Sequence, residues 1–214
     1  MENKYEIRSI FPTPLYITLI PQSLSSILSY FDSQKPAFQH DQVKLNYGTR
    51  SANSYILNDP PCLELSNYIL SNVLNYGSKY LSYAYTQYKL TQSWVSQKHP
   101  GESHIVHTHA NSLISGVLYY GDMDSNTPHI NFHNPNTKKF LKMRPKINHE
   151  GYNLYTTPQM PLIPTPGMLI LFPSTLPHSV PENITNKVRK SLAFNVVPLE
   201  GFGAEEELTE LKIN

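Results

Sequence analysis

HIVHTHANSLISGVLYY, residues 104–120, joins two signals end to end. Its first half sets His104, His107 and His109 within six positions. Its second half, SLISGVLYY, is an apolar run closed by Gly121-Asp122, the pattern of a buried strand. The histidines either hold a metal ion or make a polar loop rich in imidazole, and the surrounding strands bear on that choice.

Outward from this stretch, LTQSWVSQK (90–98), HINFHNP (129–135), GMLILFP (167–173) and RKSLAFNVV (189–197) also read as strands. Pro, Gly, Asn and Asp separate them, and eighteen prolines and fifteen tyrosines suit short strands with turns. Several short strands without intervening helices imply a mainly β core: a sandwich, jelly roll or barrel. Upstream, RSIFPTPLYITLIP (8–21) is an extended piece and QSLSSILSYF (22–31) a short helical pattern. The stretch from Asp32 to Asp59 reads as a polar loop. Asp59-Pro60-Pro61 starts a helix whose apolar face is Leu65, Ile69, Val73 and Tyr76, with Gly77 ending or interrupting it. The segment 78–90 is ambiguous between helix and coil. The tail GAEEELTEL (203–211) reads as a short acidic surface helix. The expected organisation is one domain: an N-terminal extended and helical layer (1–90), a β core (91–199) and a tail (200–214).

Composition narrows the function classes. The formal net charge is +1 and there is no Lys/Arg run, which argues against a nucleic-acid partner. Cys62 is the single cysteine, which excludes an internal disulfide and fits a reducing compartment. MENKYEIRSIFPTP is too polar for a signal peptide, and no apolar run reaches membrane-spanning length. A cytoplasmic location is therefore expected, with no membrane partner. Asn183-Ile184-Thr185 fits the glycosylation pattern, but without secretion the match is chance.

On a strand, side chains at i and i+2 share a face, so His107 and His109 would point together. Two imidazoles so placed can reach one ion at about 2.0–2.1 Å. A third ligand must come from elsewhere, and His178, in the proline-fixed LILFPSTLPHSVPEN, is the candidate. His104, three residues before His107, is read as a pocket residue outside the ligand set. His40, His99, His129, His133 and His149 are read as surface or structural. Arg189 and Ser191 are again i and i+2; a guanidinium with a hydroxyl beside it makes a carboxylate clamp.

At these residues the chain resembles the Fe(II)/2-oxoglutarate-dependent oxygenases, and within them a branch found in bacteria and phages. The resemblance runs through FPTPLY, SWVSQKHPGESHIVHTHANSLISGVLYY, INFHNP, PGMLILFPSTLPHSVPEN and RKSLAFN, most of residues 10–197. It implies a double-stranded β-helix, the cupin-like jelly roll, with Fe(II) at its mouth. It implies His107, His109 and His178 as metal ligands, and Arg189 and Ser191 as the clamp on the far carboxylate of 2-oxoglutarate. Tyr119, Tyr120 and Asn131 would join the co-substrate pocket, with Asn195 and Trp94 on neighbouring strands. O2 is the implied oxidant and ascorbate a reductant; no catalytic residue is implied beyond the metal centre. For a phage-encoded chain the location would be the host cytoplasm.

One departure stands out. The usual triad is two histidines and a carboxylate, with His109 here in the carboxylate's place. Asp122 and Asp124, beyond the strand, are the alternative acids. Three further readings remain open: a three-histidine zinc enzyme, a three-histidine iron enzyme independent of 2-oxoglutarate, and a non-catalytic jelly-roll binding or virion module. The substrate and any self-association are not legible. Specificity is expected in the loops 32–59 and 136–164, where KKFLKMRPK (138–146) suggests either a solvated basic loop or an acidic, nucleotide-like substrate.

Overall fold

The computed structural model describes residues 6–135 and 146–213, so KKFLKMRPK lies, except for Lys146, outside the described residues. The long apolar stripe reads out as α3 (Leu63–Tyr80), entered through a 3-10 turn at Pro60–Cys62. It buries Leu65, Ile69, Val73 and Tyr76 and runs through Gly77, over which the Tyr88 ring packs. Two shorter helices precede it, α1 (Leu28–Asp32) and α2 (Asp41–Tyr47).

Among the described residues, ten strands follow the chain order β1 (Tyr16–Leu19), β2 (Thr49–Arg50), β3 (Tyr88–Lys98), β4 (His104–His107), β5 (Ile114–Tyr120), β6 (Ile130–His133), β7 (Gln159–Leu162), β8 (Met168–Pro173), β9 (His178–Val180) and β10 (Arg189–Pro198). They make two antiparallel sheets, β1-β8-β5-β10-β3-β2 and β4-β9-β6-β7. This is the mainly β, jelly-roll architecture expected, with the sheets left open.

Period-two alternation assigns each residue of the central strands to one of two cores. Ile114, Leu118 and Tyr120 of β5, Leu169 and Leu171 of β8, and Leu192, Phe194 and Val196 of β10 meet the apolar face of α3. Val117 and Tyr119 of β5 and Ile170 and Phe172 of β8 face the other way, onto Ile130 and Phe132 of the smaller sheet. Every residue of β5 is therefore buried, which is why its sequence shows no polar alternation.

Two local expectations fail. The polar stretch 32–59 contains α2 and β2. None of α2's residues is buried, so it leaves no apolar periodicity to read; Asp41 in its first turn complements the helix dipole, and Gly48, with φ +73°, ends it. The acidic tail forms only a 3-10 turn at Glu205–Glu207. Three adjacent carboxylates repel, Leu208 takes a left-handed φ of 56°, and Phe202 pairs instead with Leu211. No helix among the described residues is long and apolar enough to cross a membrane.

Gly116 marks the tightest approach in the sheet: a Cβ there would run into the Phe194 ring and meet Leu171. Gly116→Val, although valine favours strands, should destabilise the protein by about 1–3 kcal/mol through overpacking. Urea denaturation measures this; an unchanged midpoint would show that Phe194 yields freely.

Candidate metal and anion site

β4 and β9 pair with His107 opposite His178. The sequence reading put His107 and His109 on one regular strand; instead β4 ends at His107, and His109 follows in irregular chain, its backbone N–H donating to Ser174 O at 2.9 Å. Trp94 stacks on the His109 ring, centroids 6.0 Å apart. His104 lines the same cavity as His107. The β4–β9 register slips between His104 and His107, a bulge that brings residues three apart onto one side. Their rings stack at 4.0 Å.

One ligand nitrogen from each of His107, His109 and His178 lies within 4.8 Å of the others, a group able to hold a metal ion. The ring orientations suit that use. Nδ1 of His107 faces Ile105 O at 2.9 Å and Nδ1 of His178 faces Leu176 O at 3.0 Å. A proton donated to each carbonyl leaves Nε2 as the lone-pair donor. Nε2 of His109 and Nε2 of His178 already point at each other, 3.2 Å apart. Burial lowers all three pKa values, His109 to about 4 and His178 to about 3, where neighbouring imidazoles add to the effect. The rings are thus neutral at pH 7, the form that binds metal. No carboxylate among the described residues joins the group. Asp122 and Asp124 instead pair with Lys187 at 2.9 and 3.1 Å on the surface.

β10 supplies the cation. Arg189 is 3% exposed and donates from Nε to Pro128 O (2.9 Å) and from Nη2 to the Tyr119 hydroxyl (3.1 Å). Nη1 lies 3.5 Å from Ser191 Oγ. Arg189, Ser191 and Tyr119 line the same cavity as the three histidines, with Val117, Ile130 and Phe172 forming its apolar wall. Asn195, on the same face of β10, hydrogen-bonds to Ser115 Oγ at 2.9 Å and to the His109 side chain. Two other residues named from the sequence are set elsewhere. Tyr120 points to the helical side, its ring 5.5 Å from Phe31. Asn131 alternates with the inward-facing Ile130 and Phe132 and does not line the cavity; its buried Oδ1 has no partner among the described residues.

Lys98 was missed from the sequence. It is fully buried, lines this cavity and sits opposite Arg189 across the β3–β10 ladder. The available signal was the spacing Trp94, Ser96, Lys98, which puts a cation on the face that carries Trp94.

Comparison with known proteins agrees with this geometry. Residues 92–195 match the family described as "Putative 2OG-Fe(II) oxygenase", a span that holds all three histidines, Arg189 and Ser191. No curated protein matches the chain by sequence. Among solved structures, the epimerase SnoN of nogalamycin biosynthesis, non-heme and alpha-ketoglutarate-dependent, has a TM-score of 0.63 at 10% identity, covering 88% of this chain and 80% of its own. A prolyl-4-hydroxylase of Pseudomonas putida gives 0.55 at 14% identity, covering 86% and 92%. HygX from Streptomyces hygroscopicus, solved with nickel, 2-oxoglutarate and hygromycin B, gives 0.61 at 10% identity, covering 88% and 84%. The family match over residues 92–195 and the shared fold make this chain similar to the 2OG-Fe(II) oxygenases.

Two outcomes follow from the geometry. His107→Ala or His178→Ala should abolish stoichiometric binding of a divalent metal, whereas His104→Ala should keep it, as elemental analysis after dialysis would show. Second, the Lys98 ammonium is pushed down to about 7, by burial first and then by Arg189, with Glu102 opposing. An unfolded lysine keeps its proton to about pH 10.4, so between pH 7 and that value the unfolded chain binds the extra proton. Stability of the metal-free protein should therefore rise from pH 7 to 9, by about 2 kcal/mol from this group, and Lys98→Met should remove that rise. Equal slopes in both proteins would place the charge elsewhere.

Proposed function

We propose that the protein is an Fe(II)- and 2-oxoglutarate-dependent dioxygenase that hydroxylates its substrate. The observation that carries this is the convergence of three neutral imidazoles with a buried guanidinium in one cavity. His107, His109 and His178 hold the metal, each ring fixed by its own hydrogen bond or stacking partner. Arg189 still has N–H donors free toward the cavity, and with Ser191 and Tyr119 it binds the far carboxylate of 2-oxoglutarate as a fork. Phe172, Val117 and Ile130 keep water from the reacting centre. When bound, the iron and 2-oxoglutarate supply oxygen activation, with succinate and carbon dioxide as co-products. Ascorbate serves as the reductant that keeps the iron ferrous.

The chain's own choice of ligand sets this site apart. With His109 in the carboxylate's place, the metal centre carries one more positive charge than the usual facial triad. The same three imidazoles suit a zinc hydratase, but a buried arginine clamp has no task there.

Incubated with Fe(II), 2-oxoglutarate, ascorbate and oxygen, the protein should form succinate even without substrate. Arg189→Ala should raise the 2-oxoglutarate concentration required by roughly a hundredfold, since a buried carboxylate loses its charged partner. Tightly co-purified zinc, together with no thermal stabilisation by 2-oxoglutarate, would contradict the assignment.

A further inference from the structure

Two cations stand side by side on the inner face of the larger sheet, where Arg189 is the cross-strand partner of Lys98 and Ser191 that of Ser96. Lys98 Nζ donates to Tyr47 O at 3.0 Å and to Ser96 Oγ at 2.8 Å, and no carboxylate hydrogen-bonds to it. The nearest buried acid, Glu102, is engaged elsewhere: its oxygens accept from Thr49 N (3.2 Å), Thr49 Oγ1 (3.1 Å) and His99 N (2.9 Å). A fully buried ammonium with two neutral acceptors and a guanidinium neighbour is an electrostatic debt that something must offset.

2-Oxoglutarate does not offset it. Counting charges in the filled site, the imidazoles contribute none, the divalent ion cancels the dianion, and Arg189 and a protonated Lys98 leave two positive charges in excess, the second kept only when an anion arrives to hold the proton on Lys98. A site with a carboxylate ligand and one cation closes at zero. Here the excess arises from two residues, His109 where an acid would stand and Lys98 beside the clamp. Arg189, Ser191 and Tyr119 already complete one carboxylate fork. Lys98 Nζ is turned the other way, toward Tyr47, whose ring meets His104 edge-on at 5.6 Å, and His104 stacks on His107. The unpaired charge therefore belongs to the cavity that His104 and His107 also line.

We propose that the primary substrate is a small acid, its carboxylate or phosphate held by Lys98 beside the metal centre. This rests on the reading of Arg189 as the co-substrate clamp. Lys98 keeps one N–H after its two hydrogen bonds, and an arriving oxyanion takes it. The same contact lets an acid be told from its neutral isostere, because a neutral molecule would leave the ammonium unpaired.

The test uses the full chain loaded with nickel(II), which resists oxidation, and follows binding of 2-oxoglutarate, inorganic phosphate and acetate by calorimetry. Phosphate and acetate are titrated with and without 2-oxoglutarate, and their ranking tells which acid group the site prefers. The wild-type protein should bind at least one of them. Lys98→Met should weaken that oxyanion at least about tenfold while changing 2-oxoglutarate affinity less than about threefold. Arg189→Met should do the reverse. Methionine matches the lysine stem and removes a buried charge, so the variant keeps its packing. Equal oxyanion binding by the Lys98→Met protein, or none by the wild type, overturns the proposal. Loss of 2-oxoglutarate binding in the Lys98→Met protein to the extent seen for Arg189→Met overturns it too, since Lys98 would then belong to the clamp. Absence of 2-oxoglutarate binding with a Lys98-dependent oxyanion site intact would overturn the reading of function, and with it the anion's role as primary substrate, while the Lys98 site itself would stand.

Discussion

The structure depends on a pairing between two very short strands, β4 and β9, that sets His107 opposite His178 across seventy residues of chain. Neither strand buries enough to hold itself. What fixes them is their attachment through β6 to an inner core of Phe132, Phe172 and Ile170, itself backed by the larger sheet and α3. The metal group is thus the rim of a packed sandwich, and its rings cannot turn without moving aromatic neighbours. Phe172 lies 4.8 Å from the His178 ring and Trp94 6.0 Å from His109. Such packing fixes rotamers before any ion arrives.

The cost of this arrangement is electrostatic. Four imidazoles, an arginine and a lysine face one small space with no acidic side chain among its lining residues. Burial keeps the imidazoles neutral, which removes most of the repulsion. It cannot do so for Arg189, whose cation is stabilised instead by the Tyr119 ring at 4.9 Å and by neutral acceptors. A cavity so biased toward positive charge selects anions, and that selection links the clamp on β10 to the unpaired lysine on β3.

Much of this was legible in the residues, for reasons that differ by element. β5, β8 and β10 read correctly because both their faces are buried against two layers, and β3 and β6 because their apolar residues alternate toward a core. β7 was missed because it lies mostly exposed at a sheet edge, and β9 because three residues carry no periodicity. The histidines were found by type and spacing, yet the bulge in β4 that stacks His104 on His107 has no sequence signature. Asn131 illustrates a signal available but unused: in Ile130-Asn131-Phe132 the two apolar neighbours already assign the inner face to themselves. Lys98 is a second such case: a charged residue is read as solvated by default, although the spacing Trp94, Ser96, Lys98 already sets it on the face that carries Trp94.

The central claim is that three imidazoles, and no carboxylate, bind one ion within reach of a buried guanidinium. A crystal structure of the protein loaded anaerobically with Fe(II) and 2-oxoglutarate tests it most directly. The account predicts an anomalous peak bonded to His107, His109 and His178, with the far carboxylate of 2-oxoglutarate on Arg189. An ion held by two of these histidines and an acidic side chain, or a co-substrate lying away from Arg189, would contradict it.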